Sequence, residues 1–591
     1  MCLFIGEVAQ LARAPLITQN HLYEMIQQPY RKCLRSRMSR VQVPSSPLRT
    51  KYQRKEEKMN SQEILRQFSG RNRQMAAPPP NFMEQMQQTI QQETPNISYT
   101  ENGARGYRTT GKNLLDLNFK VASLRSWTEK DIYEEFMKAF YDDPLTAWKW
   151  LFYLRDIRGG LGERRSFRAI IKGIAHTRPQ EMKLLIPYIA EYGRFDDLWC
   201  LLDTALRGDI IAYVNQQLLA DIEAYQNNKS VSLLAKWLPS RNASSRNTKN
   251  YADIIMSGLG LTQPEYQSIL SRLREYLDIV ERKMTSDRWR EIDYNGVPSK
   301  ANLIYNSAFL KHDEERRREY LDALSKGDTS VKINAGTLFP YEILHRYWRS
   351  YSIHYDETLE QLWKNLPDYV AGAQNVMVVA DGSGSMTQKV GGSTAVSCLA
   401  VANSLAIYFA ERNSGVYKDQ YITFSEHPQL VSFKNAKSLL EKIQIAERHN
   451  EVANTNIEAV FDLVLKTAVQ NHLSQEELPE TILILSDMEF DRCACGNSYR
   501  RANQALFETI ANRYKKAGYK LPKLAFWNIC GRTNTIPVTQ NEMGVILVSG
   551  FSPSICKMVL SNKIDPYEAL LDALNTERYQ PIEDALKGGE A

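Results

Sequence analysis

Between residues 115 and 365 apolar side chains recur at steps of three and four, the spacing of one face of an α-helix. The stretch "DIYEEFMKAFYDDPLTAWKWLFYLRDIRGG" reads as two such helices, stopped at Gly159-Gly160. "ERRSFRAIIKGIAH", "PQEMKLLIPYIAEYG", "DIIAYVNQQLLADIEAYQNN" and "YQSILSRLREYLDIVERKM" repeat the theme, with short Gly, Pro and Asn turns between them. Helix pairs of this length predict an all-α helical-repeat domain, a solenoid or curved ring, although no strict sequence period is present.

Near residue 370 the texture changes. "NVMVVA", "YITFS", "TILILS", "KLAFWNI" and "GVILVSG" are short apolar runs rich in β-branched residues, separated by amphipathic helical stretches. That alternation predicts an α/β, doubly wound, mainly parallel sheet of Rossmann-like type. Upstream, residues 59–108 are polar and Gln-rich ("FMEQMQQTIQQETPN") and read as a flexible lead-in. The expected layout is therefore a basic extension over 1–58, the lead-in over 59–108, a helical-repeat domain over 109–368 and an α/β domain over 369–591.

Charge changes this picture in one place. The chain carries a formal net charge of +6, but residues 1–58 alone hold eleven Lys/Arg against four Asp/Glu. The rest of the chain is nearly neutral, so attraction to nucleic acid must come from local clusters. Residues 6–15, "GEVAQLARAP", resemble the in-frame reading of a transfer-RNA gene's D-arm. Two readings of the extension stand equal: translation from a start upstream of Met59, or a basic nucleic-acid-binding arm. Eight cysteines at irregular spacing do not form a disulfide framework. The pair Cys493 and Cys495 lacks the further ligands of a zinc site. No apolar run approaches the length of a membrane span, and the expected location is cytoplasmic.

The candidate chemistry lies where the first strand of the α/β region runs out, in "QNVMVVADGSGSM". Asp381, Ser383 and Ser385 can turn three hard oxygens toward one point, and strand carboxyl ends are where such sheets bind ligands. One carboxylate with neutral hydroxyls suits Mg²⁺ or Mn²⁺. Two later segments add oxygens at comparable positions: Thr455 in "VANTNIEAVFDLVL" and Asp487 after the strand "TILILS". This D-x-S-x-S … T … D order resembles the metal-ion-dependent adhesion site (MIDAS) of von Willebrand factor A domains. The resemblance implies that Ser383 and Ser385 bind the ion directly and Asp381 largely through water. It implies that Thr455 binds directly or through water according to state, and that Asp487 stands behind these ligands. One open position would then take a carboxylate from a protein partner. Glu489 and Asp491 read as solvated turn residues, the alternative being that they add negative charge behind the ligands.

Helices followed by such a domain resemble the Ro-type ribonucleoproteins, whose TROVE module is a ring of helical repeats. "YLRDIRGGLGERRSF", "YGRFDDLW", "LAKWLPSRNAS", "YNGVPSKAN", "NAGTLFPYEI", "LSDMEFD" and "FWNICGRTNTIPV" fit more closely an uncharacterised TROVE-related family of plants, bacteria and phages. The architecture implies RNA binding on the helical part. Arg155, Arg158, Arg164, Arg165 and Arg168 surround a Gly-rich break, and Lys236, Arg241, Arg246 and Lys249 accompany Trp237 as a stacking platform. The competing reading pairs these arginines with Asp156, Glu163, Asp196 and Asp197 to staple helices. No P-loop or hydrolase elbow is present, so the expectation is a non-catalytic scaffold rather than an enzyme. Its alternative is a metal-dependent protein–protein adaptor without RNA, resembling the A-domain partners of AAA ATPases.

Overall fold

The structure is a computed structural model that describes residues 96–101, 105–349, 354–370, 375–391, 395–425, 427–450, 457–489, 504–536, 545–560, 563 and 565–588. The basic extension, Thr455, Asp491, Cys493 and Cys495 lie outside them.

The region before residue 370 is mostly helical. It opens with a short antiparallel hairpin, β1 (Ile97–Tyr99) and β2 (Arg105–Tyr107), in what the sequence marks as flexible lead-in. The hairpin is held because Tyr107 bridges Ile536 through paired backbone bonds of 2.8 and 2.9 Å, far along the chain. Short-range pattern could not reveal that pairing.

The helices follow in order: α1 (Asn113–Phe119), α2 (Val121–Leu124), α3 (Glu129–Asp142), α4 (Pro144–Arg155), α5 (Arg165–Thr177), α6 (Pro179–Tyr192), α7 (Arg207–Gln226) and α8 (Leu234–Trp237). They continue through α9 (Arg246–Leu259), α10 (Gln263–Tyr276), α11 (Val280–Thr285), α12 (Ser299–His312), α13 (Glu314–Ser325), α14 (Pro340–Arg349) and α15 (Glu357–Lys364). Local chemistry sets the junctions. Between α3 and α4, Asp143 caps the new helix by accepting from Thr146 N, and Pro144 occupies its first position. Gly260 ends α9 in the left-handed conformation at φ 67°. In "RGGLGE", a Cβ on Gly160 would stand 2.0 Å from the Tyr153 carbonyl oxygen, so the close chain reversal requires glycine.

The sheet contains β3 (Val376–Asp381), β4 (Gln420–Phe424), β5 (Leu430–Ser432), β6 (Thr481–Ser486), β7 (Lys523–Asn528) and β8 (Val545–Ser549), in the order β5-β4-β3-β6-β7-β8. Only β5 runs antiparallel to its neighbour. Within this region that is the doubly wound order 3-2-1-4-5-6, which reverses between β3 and β6. Successive strand residues serve opposite cores. Val378, Ala380, Leu483, Leu485 and Trp527 pack on one face with α16 (Cys398–Arg412). Val379, Ile482, Ile484 and Phe526 pack on the other with α18 (Ile457–Gln470) and α19 (Gln504–Lys516). Burial on both faces explains why these strands read as unbroken apolar runs.

The first of these cores is continuous with that of the helices. Helix α14 packs directly on α16. Glu360 of α15 accepts from Leu439 N (2.7 Å) and Leu440 N (3.1 Å), satisfying the amino end of α17 (Leu439–Arg448). Past the sheet, α20 (Cys556–Val559) leads to α21 (Pro566–Leu574) and α22 (Gln580–Gly588). These last two helices, which the sequence places with the α/β domain, fold back on α4 and α6. Asp156, fully buried, ties them there by accepting from Arg578 and from the Tyr579 hydroxyl (3.1 Å).

Candidate metal centre

Asp381 ends β3 and Asp487 follows β6, so the two carboxylates flank the point where strand order reverses. Both are almost completely buried. Asp381 Oδ1 accepts from Ser383 N (2.9 Å), which folds the chain back over the strand end, and Oδ2 accepts from Ser486 Oγ (2.6 Å). The Ser383 and Ser385 hydroxyl oxygens lie 2.9 Å apart on the single turn Gly384–Thr387 that begins there. Ser385 also hydrogen-bonds the Asp487 carboxylate. On the opposite side Met488, buried and not glycine, takes a left-handed φ of 64°. Such strain concentrates at functional turns. Here it accompanies two local bonds, Met488 N to Ser486 Oγ (3.1 Å) and Glu489 N to Asp487 Oδ1 (3.2 Å).

Electrostatics fits a missing positive charge. Burial, and then the neighbouring Asp487, push the Asp381 carboxyl up to about 7. Burial also raises Asp487, although Ser385 and Arg532 pull the other way. Among the described residues the nearest cation is Arg532, 3.7 Å from Asp487 Oδ2 and engaged more closely, at 2.8 Å, with Glu101. The donors suit a hard divalent ion: two carboxylates and two hydroxyls, with no thiolate or imidazole among them. Cis ligands of an octahedral Mg²⁺ stand about 3.0 Å apart, given bonds of about 2.1 Å, and the two serine hydroxyls have that separation. Among the described residues no three or more His, Cys, Asp or Glu group to hold a metal. Asp381, Ser383, Ser385 and Asp487 are thus brought together, while Thr455 lies outside the described residues.

Glu489 is not the solvated turn residue the sequence suggests. It is buried and accepts from Glu101 N (2.7 Å), Arg532 N (2.8 Å) and Thr533 N (2.9 Å). It thereby clamps the loop after β7 and the end of β1 beside the site. Three further neighbours went unread in the sequence: Ser486, Arg532 and the thiol pair Cys398–Cys530. Ser486 carried a usable signal, a hydroxyl ending an apolar strand. The others are joined to the site only by tertiary folding. Cys398 shares a hydrogen bond with Cys530, and that bond together with burial raises the Cys398 thiol.

The basic candidates divide. Arg155 is buried and paired with Asp197 at 2.7 Å, and Arg168 reaches the same carboxylate at 2.6 Å. Arg165 donates to the carbonyls of Leu124, Arg125 and Trp127. These three staple helices. Asp156 and Glu163, however, take more distant partners, Arg578 and Arg125. Arg164 is half exposed and 4.0 Å from Asp196, with burial and then Arg194 and Arg168 lowering it. Arg158, Arg246 and Lys249 are exposed and make no ion pair among the described residues. Arg241 pairs with Asp253 at 3.0 Å, and Lys236 stands 3.8 Å from Glu281. The Arg194 guanidinium covers the Trp237 indole at 4.0 Å.

Comparison with known proteins follows this division of the chain. Residues 375–584 match the model of a domain of unknown function (DUF7788). Residues 100–221 and 261–379 match another domain of unknown function (DUF2828). The two matches meet at β3, where the helical pattern gives way to the sheet. "Uncharacterized protein L728" of Acanthamoeba polyphaga mimivirus is 29% identical over 527 residues, covering 82% of this chain and 89% of that protein. The crystal structure of the Deinococcus radiodurans RO (RSR) protein aligns with 74% of this chain and 92% of its own. That alignment is loose, at 11% identity and a TM-score of 0.30. No helix among the described residues is long and apolar enough to cross a membrane.

Proposed function

We propose that this protein is a non-catalytic scaffold whose α/β region is a von Willebrand A-type domain binding a protein carboxylate through Mg²⁺ or Mn²⁺. The observation that carries the reading is the meeting of Asp381 and Asp487, two buried like charges, beside the Ser383 and Ser385 hydroxyls at the sheet's switch point. The ion would supply the positive charge the two acids lack, with a coordination position left for the partner. Ser383 and Ser385 present oxygens, Asp381 orients Ser383 through its amide, and Glu489 fixes the neighbouring loop.

The test is affinity capture on the full chain in excess Mg²⁺ or in chelator, with wild type and Ser385→Ala. Proteins retained only by wild type and only with Mg²⁺ support the proposal. An identical set under all conditions contradicts it.

A second reading concerns the helical half, a TROVE-like ring that would bind structured or single-stranded RNA. It is favoured by three exposed cations that make no ion pair among the described residues, Arg158, Arg246 and Lys249. Salt-sensitive retention of RNA by the full chain on a filter is expected, and no retention at low salt removes this reading.

A further inference from the structure

Two cavities on the helical half, of about 580 and 310 Å³, share a wall made by Arg274 of α10 and Arg282 of α11. The larger falls in the usual size range of ligand sites and is also lined by Lys236, Trp237 and Arg288. The smaller is lined by Arg241 and Asn242. Together they make one trough, basic apart from Glu281 in the larger compartment, with the Trp237 indole at one end, one face of it covered by Arg194 at 4.0 Å, and Arg241 with Asn242 at the other.

The cations of the trough are unequally satisfied. Arg288 pairs with Glu275 and Glu291, and Arg282 with Glu275. Among the described residues Arg274 has no carboxylate partner: its guanidinium donates to the carbonyl oxygens of Ala235 (2.8 Å) and Leu238 (2.7 Å). Those bonds fix its plane at the shared wall without neutralising it. Partial burial, with Arg282 beside it, disfavours that charge, and an anion bound there would relieve the penalty. An anion therefore suits the point where the compartments join. A flat apolar group suits one side, because Trp237 forms that wall, and a polar group suits the other.

We propose that this trough is a binding groove for single-stranded nucleic acid, with a phosphodiester held at Arg274 and Arg282 and a base against Trp237. This rests on the RNA reading of the helical half and names the place where the strand lies. Guanidinium forks match phosphate oxygens in pairs, and an indole stacks on any base, so the groove tolerates sequence and discriminates against a duplex, whose bases are already stacked.

The test is fluorescence polarisation of a fluorescein-labelled oligo(U) RNA with the full-length chain, comparing wild type, Arg274→Gln, Arg288→Gln and Trp237→Leu. Wild type is expected to bind, and to weaken steeply with salt. Arg274→Gln and Trp237→Leu are each expected to bind about tenfold or more weakly, and Arg288→Gln, whose charge Glu275 and Glu291 already offset, to weaken binding less, with a labelled RNA duplex of equal length bound less well than the single strand. Arg288 pairs with the half-exposed Glu275 and Glu291, contacts whose loss costs little stability, so its replacement separates loss of binding from loss of fold, and circular dichroism of each variant checks this. If wild type binds the oligomer and all three variants match it, the groove assignment is overturned while RNA binding elsewhere stands. If wild type binds no RNA at low salt, the RNA reading falls and the groove with it. Equal or tighter binding of the duplex overturns the single-strand assignment.

Discussion

The two halves of the molecule bury charge in opposite ways. In the helical half Asp197 is fully buried between Arg155 and Arg168, at 2.7 and 2.6 Å, and accepts the Arg194 amide as well (3.0 Å). In the α/β half two carboxylates, Asp381 and Asp487, are buried side by side with one loosely placed arginine. A desolvated charge with its counter-ion in place is structural, because its partner is part of the fold. A desolvated like-charged pair at a topological switch point is a candidate ligand site. Arginines were the more conspicuous signal in the sequence, yet several are consumed by the fold, whereas the quieter Asp-Ser-Ser turn gathers with a second buried carboxylate and, among the described residues, a single arginine at 3.7 Å.

That contrast is broken first by removing one side of the compensated pair. Asp197→Ala leaves Arg155 buried without a partner and is expected to destabilise the protein by about 3–5 kcal/mol, read as a lowered denaturant midpoint. A loss under about 1 kcal/mol would mean that water already reaches the pair.

The uncompensated pair predicts the next effect, in pH and metal dependence. Without metal, Asp381 is protonated in the folded chain up to about pH 7, whereas in the unfolded chain it ionises near pH 3.9. The folded state therefore holds the extra proton between those values, and this group's contribution to stability falls as pH rises through the window. Mg²⁺ at about a hundred times its dissociation constant should stabilise the ionised form by about 2.7 kcal/mol and flatten that slope. Thermal unfolding across pH, in chelator and in Mg²⁺, checks both; coincident curves would show that no cation joins the pair.

The smallest effect sharpens the comparison from outside. Arg318 and Glu314 form a 2.8 Å pair with both side chains more than half exposed. Arg318→Ala should change stability by no more than about 0.5 kcal/mol, which would confirm that burial, not pairing, separates the two halves. A shift as large as that of Asp197→Ala would refute it.

Much of the fold was legible because its signals are local. Helical periodicity gave α3 to α7, and strands buried on both faces gave β3, β4, β6, β7 and β8. Asp381 and Asp487 could be placed together because parallel strands in a doubly wound sheet bring their carboxyl ends to one edge. Contacts between remote segments were not legible: the hairpin held by Ile536, the return of α21 and α22 to α4 and α6, and Glu489 gripping residues 532–533. Arg274 was missed because nothing local marks a guanidinium whose partners are carbonyls at residues 235 and 238.

The central claim is that the Asp381–Asp487 pair completes itself with a divalent cation, and Mn²⁺ binding followed by electron paramagnetic resonance tests it most directly. Wild-type full-length protein should bind one Mn²⁺ per chain, displaceable by Mg²⁺, and Asp381→Asn should lose that binding by tenfold or more while remaining folded. Equal Mn²⁺ binding by wild type and Asp381→Asn, or none by wild type, would contradict the account.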